Sequence, residues 1–116
     1  MASPGRLPRD IQRLLTDEAN MIFISTVCIW ETSIKFALRK ESSPPFGGRE
    51  LARLTAESGC RFLDVTGQHA AAVDDLPFLH ADPFDRLLVA QALSEPMRLV
   101  SGDRQVAAYS DTVITW

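Results

Sequence analysis

Met21-Ile22-Phe23-Ile24-Ser25 restricts the fold more than any other stretch of this chain. It is a short, continuous apolar run without the alternation of a half-solvated strand. Such a run suits a strand covered on both faces, as in a parallel sheet. Parallel neighbours cannot be joined by a hairpin and need a crossover, usually a helix. The following residues provide one. Ser25 or Thr26 can cap a helix running to about Lys40, on which Val27, Trp30, Ile34, Ala37 and Leu38 form an apolar stripe. Ile29 and Phe36 lie on the opposite side. This helix is therefore expected to make two apolar contacts, one with the sheet and one with another helix, a second copy of the chain or a different partner.

The same alternation continues along the chain. Residues 7 to 17 have helical periodicity, with Ile11, Leu14 and Leu15 on one face and Arg6, Arg9, Asp10 and Arg13 on the other. Glu41 to Gly48 is a Ser-, Pro- and Gly-rich loop, and Arg49 to Ser58 a short helix with Leu51 and Leu54 inward, ended by Gly59. Arg61 to Val65 is a second strand, and Thr66 caps a helix over Gly67 to Leu76. Asp82 and Pro83 open the next helix. Arg98 to Ser101 is a third strand, Asp103 to Tyr109 a helical turn, and Thr112 to Thr115 a closing strand. Strands alternating with helices define an α/β fold with a mainly parallel sheet.

A chain of 116 residues makes one domain, 1–116, with a core but little room for a second. With 46% hydrophobic residues it is apolar enough to fold rather than stay disordered. No apolar run approaches the roughly 20 residues that span a bilayer, and Met1 to Arg6 contains no signal-peptide core. A cytoplasmic location is the resulting expectation. Cys28 and Cys60 make neither a disulfide framework nor a metal cluster. The net charge of −3 argues against a generally basic nucleic-acid surface. A nuclease whose bound cations provide the positive charge remains compatible with it.

Three acids stand apart by position. Glu31 lies in the opening turns of the helix after the first strand, where the simplest role is an ion pair with Lys35. Asp85 is the third residue of a helix, where an acid meets free N–H groups. Asp103 directly follows the strand Arg98 to Ser101 and can serve as a cap or turn residue. Segments just after strands line the carboxyl edge of a doubly wound sheet, where ligands bind. Carboxylates converging there repel one another unless a cation is present. Hard oxygen donors of this kind suit Mg²⁺, with Mn²⁺ as the alternative ion.

Ser25-Thr26-Val27-Cys28-Ile29-Trp30-Glu31-Thr32-Ser33-Ile34-Lys35 resembles the S-x-x-S-x-W-E-x-x-I-K segment of PIN-domain proteins of the VapC toxin type. Leu76 to Leu88, with His80-Ala81-Asp82-Pro83-Phe84-Asp85-Arg86, is similar to their LPxxHxDPFDRLL segment, and Leu99-Val100-Ser101-Gly102-Asp103 to their LVTxD. The final Trp116 also fits. The resemblance implies a PIN-like three-layer sandwich and a Mg²⁺-dependent endoribonuclease of a type II toxin–antitoxin system. Such an enzyme hydrolyses RNA with a metal-activated water and is held inactive by a cognate antitoxin. A homodimer is the expected assembly. By motif, Glu31, Asp85 and Asp103 are the catalytic and metal-site acids. Ser101 supports or positions the site, and Asp82 is the helix cap. Neither His69 nor His80 is required to act.

The chain departs from the resemblance at its start. PIN toxins of this type begin with an apolar strand ending in Asp, of the form LLLDTHxLLW, and no such strand precedes Met21. Asp10 and Asp17 do not follow an apolar strand and are not assigned to the site. In the family that strand is central. Met21–Ser25 and Arg98–Ser101 are therefore expected to be either adjacent or separated by a strand-wide slot. Two functional expectations follow. One is a ribonuclease, with three acids sufficing or with the first strand encoded upstream. The other is a catalytically silent truncated module that binds antitoxin or dimerises.

Overall fold

The structure, a computed structural model, describes residues 7–116. Its elements run α1 (Arg9–Thr16), β1 (Phe23–Ser25), α2 (Thr26–Ala37), α3 (Gly48–Glu57), β2 (Arg61–Leu63), α4 (Gly67–Ala72), α5 (Pro83–Ser94), β3 (Leu99–Ser101), α6 (Arg104–Ala107) and β4 (Val113–Thr115). A single 3₁₀ turn, Val73–Asp75, follows α4. Each element sits close to where the sequence places it, although the strands are shorter, α2 ends at Ala37 rather than about Lys40, and α4 gives way to the 3₁₀ turn before Leu76. Arg6, assigned to the polar face of α1, lies outside the described residues.

Local chemistry explains the boundaries. The Ser25 hydroxyl accepts from the Val27 N–H at 3.2 Å and caps α2. Thr66 and His69 form a reciprocal capping box at the start of α4. Gly59, at φ 81°, takes the left-handed conformation that ends α3.

The strands form two parallel pairs. β1 pairs with β2, Phe23 opposite Arg61 and Ser25 opposite Leu63. β3 pairs with β4, Leu99 opposite Val113 and Ser101 opposite Thr115. No ladder joins β1 to β3 among the described residues. Both strands line one cavity of about 560 Å³, with Leu14, Leu88, Met97 and Trp116 among its other walls. The two strands are thus not hydrogen-bonded neighbours among the described residues, and both face the same cavity.

Helix α5 connects the two halves. Val89, Ala90, Gln91 and Ala92 are buried along it, together with Val27 of α2, Val106 of α6 and Ile11 of α1. Gln91 is a buried polar residue with its donors in use. Its side-chain amide donates to the Leu63 and Asp64 carbonyls, each at 3.3 Å, which ties α5 to the end of β2.

The expected inward face of α3 is corrected, and the stripe on α2 beyond Val27 is left exposed. On α3 the inward residues include Gly48 and Thr55, which are buried, whereas Leu54 is 39% exposed. Small residues at this seam let α3 approach α2 closely, and Leu54 is turned outward. On α2, Val27 is buried, but Trp30, Ile34 and Leu38 of the same stripe are exposed. That face has one aromatic contact, Trp30 edge-on to Phe84 with ring centroids 5.2 Å apart.

Candidate metal centre

Two helix starts and one loop build the site. Asp82 is the N-cap of α5, its Oδ1 accepting from the Phe84 N–H at 2.9 Å, and Pro83 takes the first helical position. The cap is therefore already filled, and the Asp85 carboxylate in the first turn is available for another role. Asp103 divides its two oxygens. Oδ1 accepts from the Gln105 N–H at 2.9 Å and caps α6, while Oδ2 faces away toward the loop before α5. Ser101 fixes this arrangement, its hydroxyl accepting from the Asp103 N–H at 3.1 Å.

Between the two acids lies His80. Its Nε2 is 3.0 Å from Asp85 Oδ2 and 3.0 Å from Asp103 Oδ2. The three residues present donor atoms that all fall within 4.8 Å of one another. The His80 loop is held from outside the site. The Tyr109 hydroxyl accepts from the N–H groups of Leu79 at 3.1 Å and His80 at 2.9 Å, and from Arg86 Nη1 at 3.1 Å. Arg86 also donates to the Pro77 carbonyl at 3.1 Å and lies over the Phe78 ring at 5.0 Å. The arginine of the Asp-Pro-Phe-Asp-Arg stretch thus braces the loop and takes no place among the donors.

Glu31 is not one of these three grouped donors. Its carboxylate pairs with Lys35 Nζ at 2.9 Å, the i,i+4 partner that sequence spacing offers. Its charge still reaches the site, being one of the influences on Asp85. Of the three acids assigned by motif, the fold brings Asp85 and Asp103 together and adds His80. Position within the His80–Arg86 motif was the only sequence signal for this histidine.

The electrostatics suit a cation. Burial raises the Asp85 pKa above the usual carboxylate value. The negative charges of Asp82 and Glu31 add to this, His80 opposes it, and Asp103 raises it further. For His80, burial disfavours the charged ring and is the largest single influence. Asp103 and Asp85, by hydrogen bond and charge, together outweigh it and hold the pKa above its usual value. Two carboxylates and an imidazole, short of positive charge, form a donor set that fits a divalent metal ion.

A pH dependence follows for the metal-free protein. A histidine with a raised folded-state pKa contributes stability that is fully present below its unfolded value, about 6.5, and lost as pH rises through the folded value. Melts of EDTA-treated protein should show wild type losing stability relative to His80→Gln as pH rises above about 6.5. A gap that widened over this window would contradict the placement of His80 between the acids.

The sequence matches the PIN domain over residues 5–111. This chain belongs to the PIN-domain family. Among solved structures, it is similar to VapBC2 from Rickettsia felis, crystallised bound to a DNA fragment from their promoter. The TM-score is 0.63 at 17% identity, with 92% of this chain and 82% of that chain covered, which shows a shared fold. No curated protein sequence matches the chain. PIN domains are in general metal-dependent nucleases. The centre at the starts of α5 and α6 is therefore the candidate active site of this PIN domain.

Proposed function

We propose that this PIN domain is a Mg²⁺-dependent endoribonuclease, the VapC-type toxin of a type II toxin–antitoxin system, with Mn²⁺ as the alternative ion. The convergence of Asp85 and Asp103 on one point carries this reading. A bound ion there would activate water and offset charge building up on the phosphate. Asp85 and Asp103 would hold the ion, Glu31 would add negative potential from α2, and Ser101 would keep Asp103 in position. No side-chain nucleophile is needed.

A cognate antitoxin is the partner this reading implies, and the exposed apolar face carrying Trp30, Ile34 and Leu38 fits a protein partner. Homodimer formation would use similar apolar surface. No helix among the described residues is long and apolar enough to cross a membrane, which is compatible with the cytoplasmic location proposed for such a toxin.

One observation favours a second reading. Glu31 is engaged by Lys35, so only two of the assigned acids meet, consistent with a catalytically silent module that retains partner binding. Incubation with RNA, DNA and a phosphomonoester, each with Mg²⁺, with Mn²⁺ and with EDTA, separates the two. Cation-dependent RNA cleavage supports the nuclease. Inactivity throughout, with antitoxin binding retained, leaves the silent module.

A further inference from the structure

We propose that His80 is itself a ligand of the divalent ion, through Nε2, and that it biases this site toward Mn²⁺ over Mg²⁺. The proposal rests on the metal-centre reading above and deepens it by naming a nitrogen donor and the ion it selects. Three observations support it. First, the contacts from Nε2 to Asp85 Oδ2 and to Asp103 Oδ2 are both 3.0 Å. Adjacent ligands about 2.1 Å from an octahedral ion lie roughly 3.0 Å apart, so the nitrogen already has the separation of a neighbouring ligand. Second, the residue is held in place, with its backbone anchored and its side chain largely covered. Its side chain is only 13% exposed, and the Tyr109 hydroxyl accepts both the His80 N–H and that of the preceding residue. A ligand held this way loses little freedom on binding.

Third, the other ring nitrogen is nearly free. Coordination through Nε2 leaves the remaining ring proton on Nδ1, which then ceases to accept from the Asp82 N–H. That contact is 3.5 Å long and weak, so little is given up. Oxygen donors and water satisfy Mg²⁺, whereas an imidazole in the set favours transition ions. Mn²⁺ accepts both donor types.

The test uses the full chain with Mn²⁺ or Mg²⁺ alone, without substrate. Pulsed EPR of Mn²⁺-loaded wild type should show ¹⁴N coupling from a coordinated imidazole, and His80→Gln should lack it. Calorimetric titration should show Mn²⁺ affinity falling about 10- to 100-fold in His80→Gln, with Mg²⁺ affinity changing little. Bound Mn²⁺ without ¹⁴N coupling in wild type overturns the proposal, as does equal affinity of both proteins for Mn²⁺. In both cases the metal centre survives if Asp85→Asn and Asp103→Asn still weaken Mn²⁺ binding. Absence of Mn²⁺ binding, or binding indifferent to both aspartate substitutions, overturns the metal centre itself. If His80→Gln does not fold, the wild-type ¹⁴N spectrum alone decides.

Discussion

Asp85→Asn is expected to abolish the proposed metal-dependent RNA cleavage, with kcat/KM falling at least about 100-fold. Loss of residues that merely support a metal ligand already costs 10- to 100-fold, and here a proposed ligand loses its charge. The substitution preserves shape, so the helix start persists, capped by Asp82 rather than by Asp85. A second measurement makes the outcome diagnostic. The raised Asp85 pKa means that on balance the fold disfavours its ionised form, so the metal-free variant should melt no lower than wild type, and a rise would follow the same sign. Activity and stability would then move apart, as they do where a site carries strain for function. A fully active variant would remove Asp85 from the chemistry. Equal inactivity of wild type and variant, with antitoxin binding intact, would establish the silent module.

Gly48→Ala lowers stability by about 1–3 kcal/mol, and Tm by something on the order of 10 °C. The usual cost or benefit of alanine at a helix start is small beside what its methyl group would meet. A Cβ at Gly48 would lie 1.9 Å from Ser33 Oγ and 2.5 Å from the Ile29 carbonyl oxygen. Ser33 could turn away, although its hydroxyl already donates to that same carbonyl at 2.9 Å. The carbonyl is helix backbone and cannot move without shifting α2. Circular-dichroism melts of the two proteins measure the effect, and an unchanged Tm would show that the α2–α3 seam is looser than described. Because α2 also carries Glu31, a partly folded variant is expected to lose activity as well.

The features legible in the sequence are those decided by neighbours along the chain. Ser25, Thr66, Asp82 and Asp103 all cap the helices that spacing assigns to them, because capping involves residues two or three positions apart. Faces were less legible. Periodicity shows that Trp30, Ile34 and Leu38 share a side of α2, but what covers that side depends on elements far along the chain. The same holds for Leu54, which is partly exposed while Gly48, against Ser33 and Ile29 of α2, and Thr55 are buried. The role of His80 was not legible for a related reason. Its position between Asp85 and Asp103 depends on a loop anchored by Tyr109, and no local pattern links it to Asp103 or Tyr109. The pairing of Glu31 with Lys35 was visible from i,i+4 spacing, while its distance from the other acids depended on tertiary structure.

The cavity lined by β1 and β3 bears on how this protein is expected to behave with reporter dyes. Fluorophores such as ANS brighten on contact with open apolar surface, and their binding is commonly taken as a mark of a loosely packed, partly folded state. Among the described residues the folded chain lines such a surface with Ile22, Ile24, Leu88, Leu99 and Trp116. A bright dye signal beside a cooperative melt would thus describe the native molecule. If so, screening variants or refolding conditions for low dye fluorescence would select against the fold itself.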